Sequence, residues 1–253
     1  MNAEIIKKDS NSITIQVTIP LSSDTVYFVH STSMLSSEDL IQQGVNLTGL
    51  LATEHALSRF DTVKALCFDY GQRHVQEVAV AQKIAEKVGV PFLQMETRII
   101  SQLAESSLTN PALIMDEEKP RDTWPNTFVP GRNLIFLTFA AVIARSHQIW
   151  NIITGVSQAD YSGYPDCREP FIRSTNTTIN MAMDEQFVIH TPLMWLNKAE
   201  IWALADELGV FELVKNETLT CYHGIMADGC GICPACRLRK KGMEEFLEFR
   251  IKN

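Results

Sequence analysis

The sequence contains no apolar run approaching the roughly 18 residues that a membrane-spanning helix needs, and its opening, MNAEIIKKDSNS, has no apolar core of the signal-peptide kind. Both absences predict a cytosolic protein with no membrane partner. It also has no basic excess: the formal net charge is -8, which argues against nucleic acid as the main partner. Glycine is absent from VYFVHSTSMLSSED, residues 26–39, where an apolar strand runs into a polar turn. Nucleotide-binding chains place glycines at such a junction so that backbone N–H groups can approach a phosphate. Cysteine is sparse outside one stretch, with Cys67 and Cys167 standing apart from four others between 221 and 236.

What is present is enough apolar material for a full core. At 253 residues and 45% hydrophobic composition, the chain fits one domain with a small appendage. SITIQVTI alternates as a strand does and precedes the first core strand, as an added edge strand or arm. TVYFVH (25–30) and VKALCFDY (63–70) are continuous apolar runs of the kind that strands covered on both faces show, with a helical stretch at about 47–59 between them. HVQEVAVAQKIAEKVGV (74–90) has helical spacing and a glycine stop before the short strand PFLQME. LIFLTFAAVIARSHQ (134–148) reads as an apolar helix and NIITGV (151–156) as a strand. NKAEIWALADELGV (197–210) reads as a helix with a capping signal at Asn197. This alternation predicts an α/β fold with a doubly wound, mostly parallel sheet. Residues 101–133 have no clear periodicity and read as a long loop over the site.

TCYHGIMADGCGICPACRLR places Cys221, Cys230, Cys233 and Cys236 at C-x8-C-x2-C-x2-C spacing. Thiolates so spaced wrap one tetrahedral ion, and Gly229 and Gly231 permit the tight turns required. A structural zinc is the expectation, with four coincidentally close thiols or an iron-sulfur cluster as the competing readings. A closed four-thiolate site leaves no position for substrate, so the metal would hold the C-terminal segment in place. The following RLRKKG could cap a helix or face a phosphate, with a solvated charge run as the leading reading.

Ligands of doubly wound sheets bind beyond the carboxyl ends of the strands, and the polar tracts of this chain fall there. SQADYSGYPDCREPF follows a strand and concentrates Asp160, Tyr161, Tyr164, Asp166 and Arg168. Carboxylates beside aromatic rings suit a flat, nitrogen-rich base; a loop bonded to itself is the alternative. FDYGQRH (68–74) and FVPGRNLIF (128–136) bring Arg, Gln and Asn side chains that can pair with phosphate or carboxylate. His74 reads equally as a helix-start residue. Lys198, at a helix start, either neutralises a phosphate or is an ordinary exposed lysine.

Together FDYGQRH, NTFVPGRN, TGVSQADYSGYPDCR, TPLMWLNKAE and NETLTCYHG...CGICPACRLR resemble the 7-cyano-7-deazaguanine synthase (QueC) family of PP-loop ATP pyrophosphatases, over residues from about 50 to 247. The resemblance implies conversion of 7-carboxy-7-deazaguanine to the nitrile preQ0. ATP adenylates the carboxylate, ammonia displaces AMP to give an amide, and a second activation drives dehydration. It further implies that Asp160, Tyr161, Tyr164, Asp166 and Arg168 hold the deazaguanine. Ser31, Ser36, Tyr70, Gln72, Arg73 and Asn133 would face ATP and Mg2+, Arg132 and Lys198 would serve catalysis, and Zn2+ would sit on the four cysteines. A homodimer is also implied.

The family's SGGxDS loop follows its first strand. Here STSMLS (31–36) stands at that place, keeping the two terminal serines but with Thr32, Ser33 and Leu35 for the two glycines and the aspartate. Side chains at 32 and 33 restrict positive φ and intrude on phosphate space. Reading back from DYGQRH instead brings GVNLTG (44–49) to the loop, which does not restore the motif either. Three readings stay open: a synthase with a remodelled loop, a relative joining a deazaguanine to another amine, such as a protein amine in antiviral defence, and a non-catalytic deazaguanine binder. The expected organisation is an N-terminal arm (1–24), a PP-loop-like domain (25–215) and a zinc-binding segment (216–253).

Overall fold

The computed structural model describes residues 2–9, 12–18, 25–30, 47–72, 76–103, 106–110, 112–113, 126–158, 164–221 and 223–252. In chain order its elements are β1 (Asn2–Asp9), β2 (Ser12–Thr18), β3 (Thr25–His30), α1 (Leu47–Leu57), β4 (Thr62–Asp69), α2 (Gln76–Lys87), β5 (Phe92–Glu96), α3 (Ile99–Leu103), α4 (Arg132–Ser146), β6 (Asn151–Thr154), α5 (Glu169–Met183), β7 (Val188–His190), α6 (Lys198–Glu207), α7 (Phe211–Glu217) and α8 (Pro234–Lys252). A 3-10 turn at Pro165–Cys167 precedes α5.

Five parallel strands form the main sheet in the order β5-β4-β3-β6-β7. The chain winds outward from β3 through β4 to β5, then returns to β6 and β7, so the winding reverses between β3 and β6. That reversal is the switch point at which such sheets leave a crevice. Leu66, Phe68, Ile152 and Ile153 are fully buried on β4 and β6, as the continuous apolar runs require of strands covered on both faces. Phe136 of α4 stacks on Phe68 with centroids 4.3 Å apart, fastening that helix to the sheet.

The SITIQVTI strand does not join the main sheet. It forms β2 and pairs antiparallel with β1, which sequence patterning did not foresee because a bulge between Ile5 and Lys7 breaks the alternation. The loop expected over 101–133 is shortened at both ends. α3 reaches Leu103, and α4 begins at Arg132, so Arg132 and Asn133 belong to a helix start. Helices α5, α7 and α8 and strand β7 were not anticipated. α5 carries Pro170 in its first turn and buries Ile172, Thr175 and Ile179 on one face. At α6 the expected cap is present as a full capping box: the Asn197 side chain accepts from the Glu200 backbone at 3.0 Å, and Glu200 accepts from the Asn197 N–H at 2.8 Å.

Two basic side chains depart from their sequence reading. Lys198 is only 4% exposed, against the reading of an ordinary surface lysine, because Gly242 of α8 brings its backbone onto the Lys198 stem. Arg239 of RLRKKG is equally buried, whereas Arg237, Lys240 and Lys241 are exposed as expected of a solvated run. Its guanidinium donates to Thr218 Oγ1 (2.8 Å), Thr220 Oγ1 (3.0 Å), Val214 O (2.8 Å) and Lys215 O (2.9 Å), closing the carbonyl end of α7.

Candidate functional site

The DYGQ turn leaves the carboxyl end of β4 at the crevice. Asp69 shapes it: Oδ1 accepts from the Gly71 N–H at 3.0 Å, and Oδ2 pairs with the Arg98 guanidinium at 2.8 Å. Gly71 takes φ 81 and its α-carbon faces Ser101, so a Cβ there would crowd the serine hydroxyl at 3.1 Å. Gln72 folds back and its Oε1 accepts from the Tyr70 N–H at 2.9 Å. Its Nε2 is buried and has no hydrogen-bond partner among the described residues. A buried amide donor in this state is costly unless something else meets it.

The second wall is the start of α4. Gly131, at φ 73, turns the chain so that Arg132 and Asn133 enter the helix buried. The Asn133 N–H donates to Asp166 Oδ2 at 3.2 Å, while Asn133 Nδ2 donates to the Asp166 carbonyl at 2.9 Å. Asp166 thus supplies a cap from a distant segment and complements the positive end of the helix. Burial raises the Asp166 pKa; the Arg132 charge and the Asn133 N–H oppose that rise. Arg132 is fully buried, with its guanidinium carbon 5.8 Å from the Tyr70 ring centroid.

Glu77, in the first turn of α2, lies within the field of the same arginine. Burial raises its pKa to about 8, and Arg132 partly offsets this. Tyr164 is fully buried: its hydroxyl shares a 2.8 Å hydrogen bond with Thr127, and its ring lies 4.9 Å from that of Phe128. In this conformation Tyr164 presents no face for a base to stack on, and it ties the 126–128 segment to the Asp166 turn. Arg168 is exposed and stands at the N-cap position of α5, where its side chain makes no capping bond. The 3-10 turn is held to the approach of α6, where Gln158 donates its N–H to Met194 O (2.8 Å) and accepts from the Glu169 N–H (2.8 Å). Lys198 opens α6 beyond that same approach.

The sequence-predicted residues therefore separate into groups. Tyr70, Gln72, Arg132, Asn133, Tyr164 and Asp166 share one buried polar floor at the carboxyl side of the sheet. Arg168 lies at its rim. Ser31, Ser36, Arg73, Asp160 and Tyr161 lie outside the described residues, as do His74 and the whole of STSMLS. Sequence reading missed Asp69, Glu77 and Thr127. Asp69 and Glu77 lie in or beside the quoted FDYGQRH tract, and a carboxylate flanking a glycine turn is the signal that would have drawn attention to Asp69.

The cysteine cluster forms between the end of α7 and the start of α8. The sulfur atoms of Cys221, Cys230 and Cys233 and a ring nitrogen of His223 all lie within 4.8 Å of one another. Cys236 Sγ lies 3.3 Å from Cys233 Sγ and 3.9 Å from Cys230 Sγ. Ligands about 2.3 Å from a tetrahedral zinc stand about 3.8 Å apart, so this soft donor set fits such an ion. Gly229 is indispensable to the geometry, because a Cβ on it would lie 2.2 Å from Cys236 Sγ. His223 was not anticipated. Its Nδ1 is 3.3 Å from Cys230 Sγ, which makes the ring an alternative to Cys236 as the fourth donor.

A family model, queuosine biosynthesis protein QueC, matches residues 45–247. Over 195 residues the chain is 64% identical to a 7-cyano-7-deazaguanine synthase of Bacteroides fragilis, covering 77% of this chain and 89% of that protein. To the enzyme of the same name from Parabacteroides distasonis it is 59% identical over 199 residues, covering 78% of this chain and 89% of the relative. To that of Bacillus subtilis it is 55% identical over 192 residues, 76% of this chain and 87% of the relative. The family match begins within GVNLTG and leaves β1, β2, β3 and STSMLS outside it.

Proposed function

Because the chain belongs to the QueC family, we propose that it is a 7-cyano-7-deazaguanine synthase, an ATP-dependent ligase that turns 7-carboxy-7-deazaguanine into its nitrile. The observation that carries this reading is the 64% identity to a protein of that name over 89% of that protein's length. No observation favours conjugation to a protein amine or a non-catalytic role over it.

The chemistry sets what the site must do. A carboxylate is a poor electrophile at neutral pH, so its oxygen must first be converted to a leaving group. Attack on ATP forms the acyl adenylate and pyrophosphate, ammonia then expels AMP to leave the amide, and a second ATP takes the amide oxygen so that the nitrile forms with loss of AMP. Each activation gathers negative charge around phosphate, which fixed cations and amide donors stabilise best in a site that excludes water. In our reading Lys198 and Arg132 supply those cations, Gln72 Nε2 supplies a neutral donor, and the α1 start meets the phosphates through backbone N–H groups. Asp166 and Arg168 orient the deazaguanine, and Tyr164 holds the Asp166 turn in place through Thr127. Zn2+ on Cys221, Cys230, Cys233 and Cys236 fastens the start of α8, whose Gly242 backs Lys198.

The test is incubation of the purified protein with 7-carboxy-7-deazaguanine, ammonium and Mg-ATP, with products followed by mass spectrometry. Nitrile formation with release of AMP and pyrophosphate is expected. Binding of the base without any nucleotide consumption would sink the ligase reading and leave a binder.

A further inference from the structure

We infer a second small-molecule site, for a phosphate-bearing ligand, between the C-terminal turn of α1 and strands β6 and β7. A cavity of about 420 Å³ opens there, lined by His55, Ser58, Arg59, Phe60, Ile153 and His190. It lies apart from the polar floor described above. α1 runs back along the sheet, and its last turn leads through Phe60 to Thr62, the amino end of β4. The His190 side chain points the same way, since its Nε2 is 2.9 Å from the side-chain oxygen of Asn151, the first residue of β6.

The lining is unusual for a protein of net charge -8. It gathers three basic side chains and no carboxylate. Arg98, Arg145, Arg173 and Arg250 each pair with an acid, whereas Arg59 has no ion pair among the described residues. A guanidinium offers a planar fork of donors suited to oxyanions. Two imidazoles beside it can add N–H groups. The hydrogen bond to Asn151 occupies Nε2–H of His190, so Nδ1 donates to an oxyanion only when the ring is protonated. Ser58 Oγ donates to the His55 carbonyl at 2.8 Å and so contributes only an acceptor.

The remaining lining is apolar. Phe60 meets the His190 ring edge-on at 5.8 Å, and Ile153 closes the floor. An oxyanion carrying a flat or apolar group fits this combination better than bare phosphate does, and the volume is adequate for a small metabolite. The charges acting on the rings disfavour imidazolium in the empty cavity, so the rings would take up their protons together with the anion. Burial lowers the pKa of both histidines; Arg59 lowers each further, and His55 adds to the effect on His190. No carboxylate relieves either ring, and an incoming anion would do so.

Phenyl phosphate and inorganic phosphate, titrated into the full-length zinc-loaded protein while the histidine ring resonances are followed by NMR, test the site. Saturable shifts of the His55 and His190 signals, with phenyl phosphate binding more tightly, are expected. Arg59→Gln, at an exposed position that leaves the fold intact, should weaken binding about tenfold or more, and His190→Gln should abolish the preference for phenyl phosphate. Absence of saturable shifts at millimolar ligand, or equal affinity in Arg59→Gln, would overturn the proposal.

Discussion

Asp166 and Asn133, thirty-three positions apart, are joined by two hydrogen bonds that run between backbone and side chain in both directions: Asn133 N–H to Asp166 Oδ2 at 3.2 Å, and Asn133 Nδ2 to the Asp166 carbonyl at 2.9 Å. The pair ties the start of α4 to the Pro165–Cys167 turn. Asp166→Ala would leave a buried helix N–H without its acceptor and cost about 1–3 kcal/mol. Asp166→Asn keeps an acceptor and should recover most of that stability, but not synthase turnover if the carboxylate orients the base. Chemical denaturation read beside turnover separates the two effects.

Glu77 makes stability depend on pH. Its pKa is raised from 4.5 to about 8 by burial, so the native state holds a proton that the unfolded chain releases. Between those values the folded state binds more protons, and stability falls as pH rises through about 8. The thermal midpoint of the ligand-free protein should therefore drop from pH 5 towards pH 8.5. Glu77→Gln, neutral in both states, should flatten that slope; an unchanged slope in the variant would rule out this assignment.

Metal content tests the cysteine cluster. The protein as purified should carry about one zinc per chain, and Cys233→Ser should lose it. Gly229→Ala should also lose it, because a Cβ would stand 2.2 Å from Cys236 Sγ at a backbone φ of 68. Gly231→Ala meets no neighbouring atom and should keep the metal, at the smaller cost of a strained backbone. His223→Ala should keep the metal but release it faster to a chelator.

Arg239 is a structural anchor. Its guanidinium satisfies two backbone carbonyls and two threonine hydroxyls, and its backbone carbonyl accepts from Trp202 Nε1 at 3.2 Å. Arg239→Met leaves those buried acceptors unmet and should cost about 3 kcal/mol or more. Arg239→Lys should rescue little, since a single ammonium cannot reach all four. Urea unfolding of the zinc-loaded variants gives the comparison.

Much of this architecture was legible because it is written in short-range pattern. Continuous apolar runs marked β3, β4 and β6, the capping signal at Asn197 marked the α6 start, and cysteine spacing marked the cysteine cluster. Each depends on residues a few positions apart, where chain geometry alone relates them. The roles of Lys198 and Arg239 were not legible in this way. A lysine at a helix start and an arginine in a basic run look solvated until the approach of α8 to α6 and α7 excludes water from both. Nor could pattern join His55 to His190, which meet only because β7 takes its place beside β6 within reach of the end of α1. The sequence by itself determined the parallel α/β framework, the family resemblance and the cluster of four cysteines. Tertiary structure decided which charges are buried and which distant groups share a cavity, because desolvation and electrostatic coupling depend on distances in space that separation along the chain does not set.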